Sequence, residues 1–345
     1  MMKMPGVFMQ REISDIPRVI HQLASREMSD VSQILNDEMR PIHSIVIAAR
    51  GTSDNAAHFL KYLVETRLGI PCGLASPSAA TLYQAPMKYD STLVIAVSQS
   101  GRSTDLVTYV ESARSAGALV LSMTNDESSP IAKLSHHHIY LCAGEEVAVP
   151  ATKSYFAQIF ASYLLVYSWG NLQGDINSLV TSVDALLKKE KECMDFASSL
   201  DISKPIYILG RGISYPNARE FGLKIQETCH VPVQSYSTSD FLHGPIAAMS
   251  ADAQVIYFAP ANLPTNSFGD SLTRVRDAGA RIFWIGQPTL AEPGDVTLEG
   301  ALIDNEITAS ICDAVLFQKV TCLLSLRNGF DPDAPRGLKK ITLTI

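Results

Sequence analysis

PIHSIVIAARGTSDNAAHFLKYLVET (residues 41–66) decides the fold of this chain, because a second stretch, SKPIYILGRGISYPNAREFGLKIQET (residues 203–228), repeats its pattern. In each, a short apolar strand ends in Arg-Gly-x-Ser, and a small-residue turn then leads into an amphipathic helix. Arg50 corresponds to Arg211, an offset of 211 − 50 = 161 residues. Farther along, AGALVLSMTND matches AGARIFWIGQP, where Ala116 pairs with Ala278 at 278 − 116 = 162. Two matches at nearly one offset predict a duplicated domain.

Apolar runs alternate with helical patterns in both halves of the chain. The runs are residues 44–48, 93–97 and 119–123, then 205–209, 254–258 and 281–285. Continuous apolar strands between helices are typical of a buried parallel sheet covered on both faces, so the predicted fold class is α/β with two such domains in tandem. One very large α/β domain is the alternative, but 345 residues with 46% hydrophobic content favour two domains.

The segments between these runs predict the domain boundaries. Ile13 to Met39 is expected to form one or two helices, Thr152 to Ser199 to be helical throughout, and Ile307 to Leu326 to be the last helix. The predicted division is an N-terminal helical segment (1–40), a first domain (41–200), a second domain (201–330) and an extended C-terminal tail (331–345).

Charge and cysteine content exclude several functional classes. A net charge of −7 and a pI near 5.6 argue against binding to nucleic acid or acidic membranes, which needs a basic face. The six cysteines show neither CxxC pairs nor zinc-like spacing, so no disulfide framework is expected. The N-terminus lacks the apolar core of a signal peptide, and no stretch approaches the roughly 18 apolar residues of a membrane span. We therefore expect a soluble, cytoplasmic protein.

The segment VIAVSQSGRSTDLVTYV carries the strongest local signal for a binding site. A buried strand ends at Val97, and the polar loop that follows leads into a helix beginning near Thr104. Free N–H groups, the positive end of the helix dipole and short hydroxyl side chains predict an anion site formed by Ser98, Gln99, Ser100 and Ser103. The loop has no GxxxxGK[ST] pattern, so a nucleotide is not indicated. The alternative is an ordinary serine-rich turn in which Ser103 caps the helix.

A second hydroxyl-bearing loop, ARGTSDNAA, places Thr52 and Ser53 between a strand and a helix. Converging Ser/Thr loops predict one small phosphorylated ligand. The matching loop GRGISYPNA keeps Ser214, but the region equivalent to SQSGRS reads FAPANLPTNSFG. Only the first half is therefore expected to hold phosphate.

The helix PNAREFGLKIQETCH places Glu220, Lys224 and Glu227 at i, i+4 and i+7, on one face. The alternative reading is a solvated Glu–Lys pair on a surface helix. In the next segment His243 precedes a Gly-Pro break, a position that suits an acid–base group, although a lone histidine is often structural.

Lysines at the end of the chain and histidines in its first half are the remaining candidates. Lys339 and Lys340 lie in the tail, where lysines are normally solvated, but an amine that folds over a sugar suits imine chemistry at a carbonyl. The run from His136 to His138 lacks a carboxylate or cysteine at ligand spacing, so it predicts the start of a strand and no metal site.

These motifs resemble a known family. The two strand–RGxS–helix units with SQSGRSTD resemble sugar isomerase (SIS) domains, and the chain from about Arg11 to Ile345 resembles the isomerase module of glucosamine-6-phosphate synthases. The most specific matches are RGTS, SQSGRSTD, EEVAVPATK, LGRGISYP, EFGLKIQET, FLHGP and PRGLKK.

The resemblance implies a role for each candidate residue. Glu227 corresponds to the base that moves a proton between C1 and C2, His243 to the residue that opens the sugar ring, and Lys340 to the tail lysine that forms an imine with the ketose. The family's histidine comes from the neighbouring subunit, which implies a homodimer that shares His243. The implied phosphate and sugar contacts are Thr52, Ser53, Ser98, Gln99, Ser100, Ser103, Glu220, Lys224 and, through its backbone, Val149.

The expected direction of the reaction follows from a difference between this sequence and the synthases. The synthases carry an N-terminal glutaminase domain that makes ammonia, whereas this sequence begins a few dozen residues before its first sugar domain. The expected activity is therefore glucosamine-6-phosphate deaminase: glucosamine 6-phosphate and water give fructose 6-phosphate and ammonia. No cofactor is implied, because the carbonyl and amine of the substrate provide the electron sink. Arg102, Ala151 and Lys339 depart from the family pattern and affect the expected substrate contacts.

Other functions stay open at this point. A related deaminase or isomerase would act on galactosamine 6-phosphate or a fructosamine 6-phosphate. A glutaminase-less, ammonia-using synthase would run the same chemistry towards the amino sugar. A sugar-phosphate sensor would carry a helix-turn-helix reader, but no such basic helix pair precedes Ser44, and a sensor has no need of Glu227, His243 and Lys340 together.

Overall fold

A computed structural model describes residues 4–26, 28–36 and 41–340 of the chain. Residues 1–3, 27 and 37–40 of the expected N-terminal segment and residues 341–345 of the expected tail lie outside the described residues. The chain divides into two compact units. The described parts of the first-sheet unit are Arg18–Glu146, Lys153–Gly174, Lys339 and Lys340, and those of the second-sheet unit are residues 4–17, Val147–Thr152 and Asp175–Leu338.

The first-sheet unit contains a five-stranded parallel sheet in the order β2-β1-β3-β4-β5. Its strands are β1 (Ser44–Ala48), β2 (Cys72–Leu74), β3 (Thr92–Ser98), β4 (Leu119–Thr124) and β5 (His137–Tyr140). The central strands β3 and β4 are buried along their whole length, because apolar residues occupy both faces.

The second-sheet unit repeats this arrangement with the order β10-β9-β8-β6-β7, again entirely parallel. Its strands are β6 (Ile206–Gly210), β7 (Gln234–Ser237), β8 (Gln254–Ala259), β9 (Arg281–Gly286) and β10 (Val296–Glu299). If β6 to β10 are matched to β1 to β5 in chain order, the two strand orders are identical. The predicted fold class, two tandem α/β domains with parallel sheets, is confirmed.

Helices flank both sheets. In chain order they are α1 (Val7–Ser14), α2 (Ile16–Ala24), α3 (Ser29–Leu35), α4 (Thr52–Leu63), α5 (Ser78–Thr81), α6 (Thr104–Ser115), α7 (Pro130–Leu134), α8 (Lys153–Trp169), α9 (Ile176–Leu187), α10 (Glu190–Ser199), α11 (Tyr215–Cys229), α12 (Thr238–Leu242), α13 (Gly269–Asp277) and α14 (Glu306–Arg327). Short 3₁₀ turns occupy Gly212–Ser214, Pro245–Ala248 and Thr265–Ser267, and a π-helical turn, Val64–Leu68, extends α4.

One of the two helical predictions was too coarse. The stretch from Thr152 to Ser199 forms α8, α9 and α10 rather than continuous helix, because Gly170 and Gly174 interrupt it and Asp175 caps the next helix through the N–H of Ser178. In the segment from Ile13 to Met39, where one or two helices were predicted, the described residues form α2 and α3, and the preceding helix α1 ends at Ser14. Helix α1 starts early because the carboxylate of Asp333, far along the chain, accepts hydrogen bonds from its first N–H groups, at 2.7 and 3.0 Å.

Helix α14 is long and apolar enough to cross a membrane by length and composition, contrary to the expectation that no stretch comes close. Its most apolar 18-residue window is 94% buried within the protein. Asn305 caps it through the N–H groups of Ile307 and Thr308, and it packs against α9, α10 and α11 of the same unit. It is therefore a core helix of the second-sheet unit.

Candidate functional site

The loop after β3, here called the cradle loop (Ser98–Ser103), forms a tight turn at the carboxyl edge of the first sheet. The hydroxyl of Ser98 accepts a hydrogen bond from the N–H of Gly101 at 3.1 Å, and that of Ser100 accepts one from Arg102 at 3.3 Å. Gly101 has φ +63°, and a Cβ there would lie 2.3 Å from the Ser129 hydroxyl. Only glycine permits both the backbone angle and this close approach.

Ser103 is the residue before α6, and the predicted helix start at Thr104 is confirmed. Within the described part of the chain, its side chain makes no capping hydrogen bond to α6. The ordinary serine cap, which was the alternative reading of this loop, is therefore not what the side chain does. Gln99 and Ser100 are half-buried beside it, so polar groups face the edge of the sheet where ligands bind in α/β folds.

The second hydroxyl loop follows β1, which pairs directly with β3. Gly51 has φ +56°, and Thr52 is the first residue of α4. Ser53 is buried, and its hydroxyl accepts a hydrogen bond from the side-chain amide of Gln158 on α8 at 2.8 Å. Gln158 was not singled out from the sequence, because its role depends on a contact with a residue 105 positions away.

An ion pair joins the two loops. Arg50 Nε lies 2.7 Å from Asp105 Oδ2, and Asp105 is buried in the first turn of α6. A second pair, Arg102 with Asp126 at 2.6 Å, lies beside the cradle loop. Hydrogen bonds from Ser128 and Arg102 lower the pKa of Asp126 to about 2. The Arg50–Asp105 pair links the residue two positions before Thr52 to the first turn of α6, and convergence of the hydroxyl groups on one phosphate stays a prediction.

The second-sheet unit contains a buried row of charges on α11. The side chains of Glu220 and Lys224 are completely buried, whereas that of Glu227 is 21% exposed. Lys224 Nζ lies 3.4 Å from Glu220 Oε1 and is hydrogen-bonded to Glu227. The solvated pair on a surface helix, which was the alternative, is excluded by this burial.

Lys224 stays charged in this setting. Burial opposes its ammonium form, but the carboxylates of Glu220 and Glu227 outweigh that effect and hold the pKa of Lys224 above its usual value. The positive charge in turn compensates the two carboxylates, of which only Glu227 is partly accessible. Glu227 is therefore a partly accessible carboxylate, paired with an ammonium group and carried by a helix, and a group of this kind suits a general base.

His243 directly follows α12, with its ring exposed to solvent. The preceding helix is held by Ser237, whose hydroxyl accepts from the N–H of Asp240 at 3.1 Å and donates to its carboxylate at 2.8 Å. Val149, in the same unit, donates its N–H to the carbonyl of Asp333 at 3.0 Å, so its carbonyl is the backbone group left for other contacts.

Lys340 belongs to the first-sheet unit, where its Nζ lies 2.7 Å from Glu146 Oε2. Glu146 was missed from the sequence, because EEVAVPATK presents two adjacent glutamates and only burial distinguishes them: Glu145 is exposed and Glu146 is buried. No local pattern could have paired residues 194 positions apart.

The strand start predicted at the three histidines is confirmed to within one residue, since β5 begins at His137. His136 accepts a hydrogen bond from the N–H of Val120, and His138 bonds Thr124 at 2.9 Å. Among the described residues no group of three or more His, Cys, Asp or Glu side chains is arranged to hold a metal ion. All six cysteines are free and buried.

Comparison with known proteins places this architecture in a family. The SIS domain model matches residues 38–168 and 199–281, more than half of the chain. The chain therefore belongs to the SIS domain family, as its motifs predicted.

Individual relatives and solved structures show more specific similarities to this chain. The chain is 31% identical over 350 residues to the glutamine–fructose-6-phosphate aminotransferase (isomerizing) of Sulfurisphaera tokodaii, with 98% of this chain and 56% of that protein covered. The chain thus spans little more than half of the curated relatives it matches. A Silicibacter pomeroyi protein to which phosphosugar isomerase activity has been ascribed is 28% identical, with a TM-score of 0.82 over 96% of this chain and all of that one. The glucosamine-6-phosphate deaminase of Thermotoga maritima, at 17% identity, shares the fold with a TM-score of 0.77 over 97% of this chain and 99% of that one.

Proposed function

We propose that this chain is a SIS-type phosphosugar isomerase that deaminates glucosamine 6-phosphate to fructose 6-phosphate and ammonia. The observation that carries the proposal is the Glu220–Lys224–Glu227 row. Burying three charges on one helix is unfavourable unless they are mutually paired, and the row leaves one carboxylate partly accessible. A base of this kind suits the transfer of a proton between adjacent carbons of an open-chain sugar.

The first-sheet unit is assigned the phosphate. Thr52, Ser53 and the cradle loop supply hydroxyl and N–H donors at the carboxyl edge of the sheet, and Gln158 orients Ser53. Donors of this kind at the start of helices bind phosphate oxygens. The likeness to a fructose-6-phosphate aminotransferase and to a protein described as a phosphosugar isomerase supports a phosphosugar rather than another anion.

The second-sheet unit is assigned the proton transfer. After the sugar ring opens, Glu227 takes the proton from C2 of the amino aldose and returns one to C1, while a proton passes from the amine to O1, so that C1 becomes a CH₂OH group and C2 an imine. Lys340 exchanges with the imine nitrogen and releases ammonia, and water then frees the ketose. Water is the co-reactant, so the reaction in this direction needs no ammonia source.

His243 is assigned the ring opening, moving a proton between the C1 hydroxyl and the ring oxygen. We infer that it acts on the substrate of a second copy of the chain in a homodimer. Mixing Glu227→Gln with His243→Ala tests this, because each protein is inactive alone and a mixed dimer would restore one of its two sites. Recovery of about a quarter of wild-type activity supports sharing, since half of the dimers are mixed. Zero recovery after verified subunit exchange contradicts it.

The decisive experiment supplies purified protein with glucosamine 6-phosphate and, separately, galactosamine 6-phosphate, and measures ammonia and ketose phosphate together. The proposal expects both products from the gluco epimer in equal amounts. Products only from the galacto epimer would reassign the substrate. Ketose phosphate formation from an aldose phosphate without ammonia would keep the isomerase and remove the deaminase.

A further inference from the structure

Glu146 occupies an unusual position for a carboxylate in the first-sheet unit. Its side chain is completely shielded from solvent, although the neighbouring Glu145 is exposed. Its Oε1 accepts from the N–H of Ser154 at 3.0 Å, and its Oε2 accepts from the Ser154 hydroxyl at 2.6 Å and from Lys340 at 2.7 Å. Both oxygens of the carboxylate thus accept hydrogen bonds, and one of the donors is the ammonium group of Lys340.

The rigidity of these contacts comes from α8. Ser154 lies in the first turn of this 17-residue helix, whose N-terminal N–H groups have no partner within the helix. Glu146 satisfies one of them, and its negative charge also matches the positive end of the helix dipole. The position of the carboxylate is therefore set by a core helix, not by the loop that carries it.

Lys340 gains its position from this carboxylate. The segment from Asp331 to Lys340 forms turns without helix or strand, so no repeating backbone hydrogen bonds fix it. Its neighbour Lys339 is exposed, whereas the Lys340 side chain is only 25% exposed. A buried carboxylate without a counter-charge is strongly unfavourable, so the pair holds the end of the described chain against the first-sheet unit.

We propose that Glu146 is the positioning residue that seats the Lys340 amine and carries its protons during imine exchange. The role of Glu146 in imine exchange rests on the proposed function, whereas the positioning of the Lys340 amine rests on the geometry alone.

The exchange balances as follows. Nζ of Lys340 forms a bond to C2 of the imine while two of its protons pass, by way of the Glu146 carboxylate, to the departing nitrogen. The C2–N bond then breaks and ammonia leaves, and the protonated lysine imine stays paired with the carboxylate. Neither an oxidant nor a further reactant is needed.

Turnover of Glu146→Gln tests the chemistry, with Glu145→Gln as the matched control. Glutamine keeps the shape and a hydrogen-bond acceptor but cannot take a proton. We expect kcat to fall about 100-fold with KM nearly unchanged, and the remaining activity to rise steeply towards alkaline pH, as the lysine loses its proton to solvent instead. Borohydride reduction with fructose 6-phosphate should label Lys340 in the wild type and in Glu145→Gln, and much more weakly in Glu146→Gln.

The positioning of the Lys340 amine by Glu146, here called its seating, can be measured without turnover. Acylation of the intact protein by a lysine reagent, followed by mass spectrometry, should modify Lys340 more slowly than Lys339. In Glu146→Gln the rate at Lys340 should rise to that of Lys339, and in Ser154→Ala, which weakens the anchor but retains the charge pair, it should rise less. The Ser154→Ala arm keeps the test informative if Glu146→Gln does not fold.

The outcomes separate the two proposals. Absence of any sugar-phosphate turnover in the wild type, with the acylation pattern as expected, removes the proposed function and leaves the seating intact. Equal acylation of Lys340 in wild type and both variants overturns the seating. An active wild type whose Lys340 is never trapped, or a Glu146→Gln enzyme with normal kcat, overturns the role in imine exchange.

Discussion

Helices α4 and α11 lie at equivalent places in the two units, but they bury different chemistry. Asn55 and Phe59 on α4 match Asn217 and Phe221 on α11, at 217 − 55 = 162 and 221 − 59 = 162, and all four are buried. In this register His58, Tyr62 and Glu65 stand where α11 has Glu220, Lys224 and Glu227. The α4 side chains are half-buried or exposed, whereas Glu220 and Lys224 are completely buried.

The loops after β3 and β8 also differ between the units, and here the hydroxyl-rich loop belongs to the first-sheet unit. The cradle loop of the first-sheet unit is short and rich in hydroxyls. The loop after β8 instead borders a cavity of about 580 Å³ lined largely by apolar side chains, among them Pro260, Leu263, Pro264 and Phe268. The duplicated scaffold thus carries a hydroxyl-rich loop in one copy and buried charges in the other, and each difference can be tested by changing equivalent positions in both units.

The largest effect is expected at the end of the charged row. Glu227→Gln should lower kcat by about 10³–10⁴-fold, because the amide cannot accept the C2 proton. The equivalent Glu65→Gln, in the π-helical turn that extends α4 (227 − 65 = 162), should leave kcat unchanged, since Glu65 pairs with Lys61 at the surface. Steady-state turnover of both variants measures this, and comparable losses in the two would remove the distinction between the helices.

Stability should respond next most strongly at Lys224. Lys224→Met leaves the buried Glu220 and the partly accessible Glu227 without their counter-charge and is expected to lower the free energy of unfolding by about 3–5 kcal/mol. Tyr62→Phe, at the equivalent place on α4, should change it by less than about 1 kcal/mol. The raised pKa of Lys224 means that its contribution persists throughout neutral pH and declines only above the unfolded-state pKa of about 10.4. Urea unfolding at pH 7 compares the variants, and equal losses would contradict the burial argument.

Asp313 on α14 is a buried carboxyl group outside the row of Glu220, Lys224 and Glu227, and it lies against Gly300. Burial raises its pKa to about 7 from 3.8, so the folded state favours the protonated acid. Folding stability should therefore fall as pH rises from about 4 to 7 and stay level above that. Asp313→Asn should remove the fall and stabilise the protein by on the order of 2–4 kcal/mol at pH 8, with little change at pH 4. Thermal unfolding across this range checks it, and parallel curves for both proteins would contradict the prediction.

The smallest effect is expected in the cradle loop. Ser100→Ala should raise KM for the sugar phosphate about tenfold with kcat nearly unchanged, because one hydroxyl to a charged ligand is lost. Asn262→Ala, at the matching place after β8 (262 − 100 = 162), should leave KM as it is. If the second substitution raises KM as much as the first, phosphate binding is not confined to the first-sheet unit.

Local patterns were sufficient for much of the fold. The central strands were predicted to within about one residue, and the start of α6 at Thr104 was located correctly. Apolar runs and polar loops can be recognised in short stretches of sequence. The edge strands β2, β7 and β10 were not predicted, since three or four residues with partial burial carry little pattern. The early start of α1 depends on Asp333, which no window around α1 contains.

The same distinction between local and distant determinants explains which residues of the candidate site were predicted. The cradle loop and Thr52–Ser53 were recognisable because their residue types and positions after strands are local features. Glu220 and Lys224 were recognised only as a spaced pair, because i, i+4 spacing is the same on a buried face as on a surface. Glu146, Gln158 and the Arg50–Asp105 pair were missed, since each acts through a partner distant in sequence.

The Arg50–Asp105 and Arg102–Asp126 pairs have a consequence for how the first-sheet unit would capture its ligand. Both guanidinium groups already face a carboxylate, at 2.7 and 2.6 Å, so neither adds a net positive charge beside the serine hydroxyls. Attraction for an incoming anion then comes from bond dipoles at short range, which dissolved ions screen far less than they screen separated net charges. Capture of an anion at the cradle loop should accordingly depend less on ionic strength than capture at a loop with unpaired arginines, and these two pairs should not slow its release through a long-range electrostatic field.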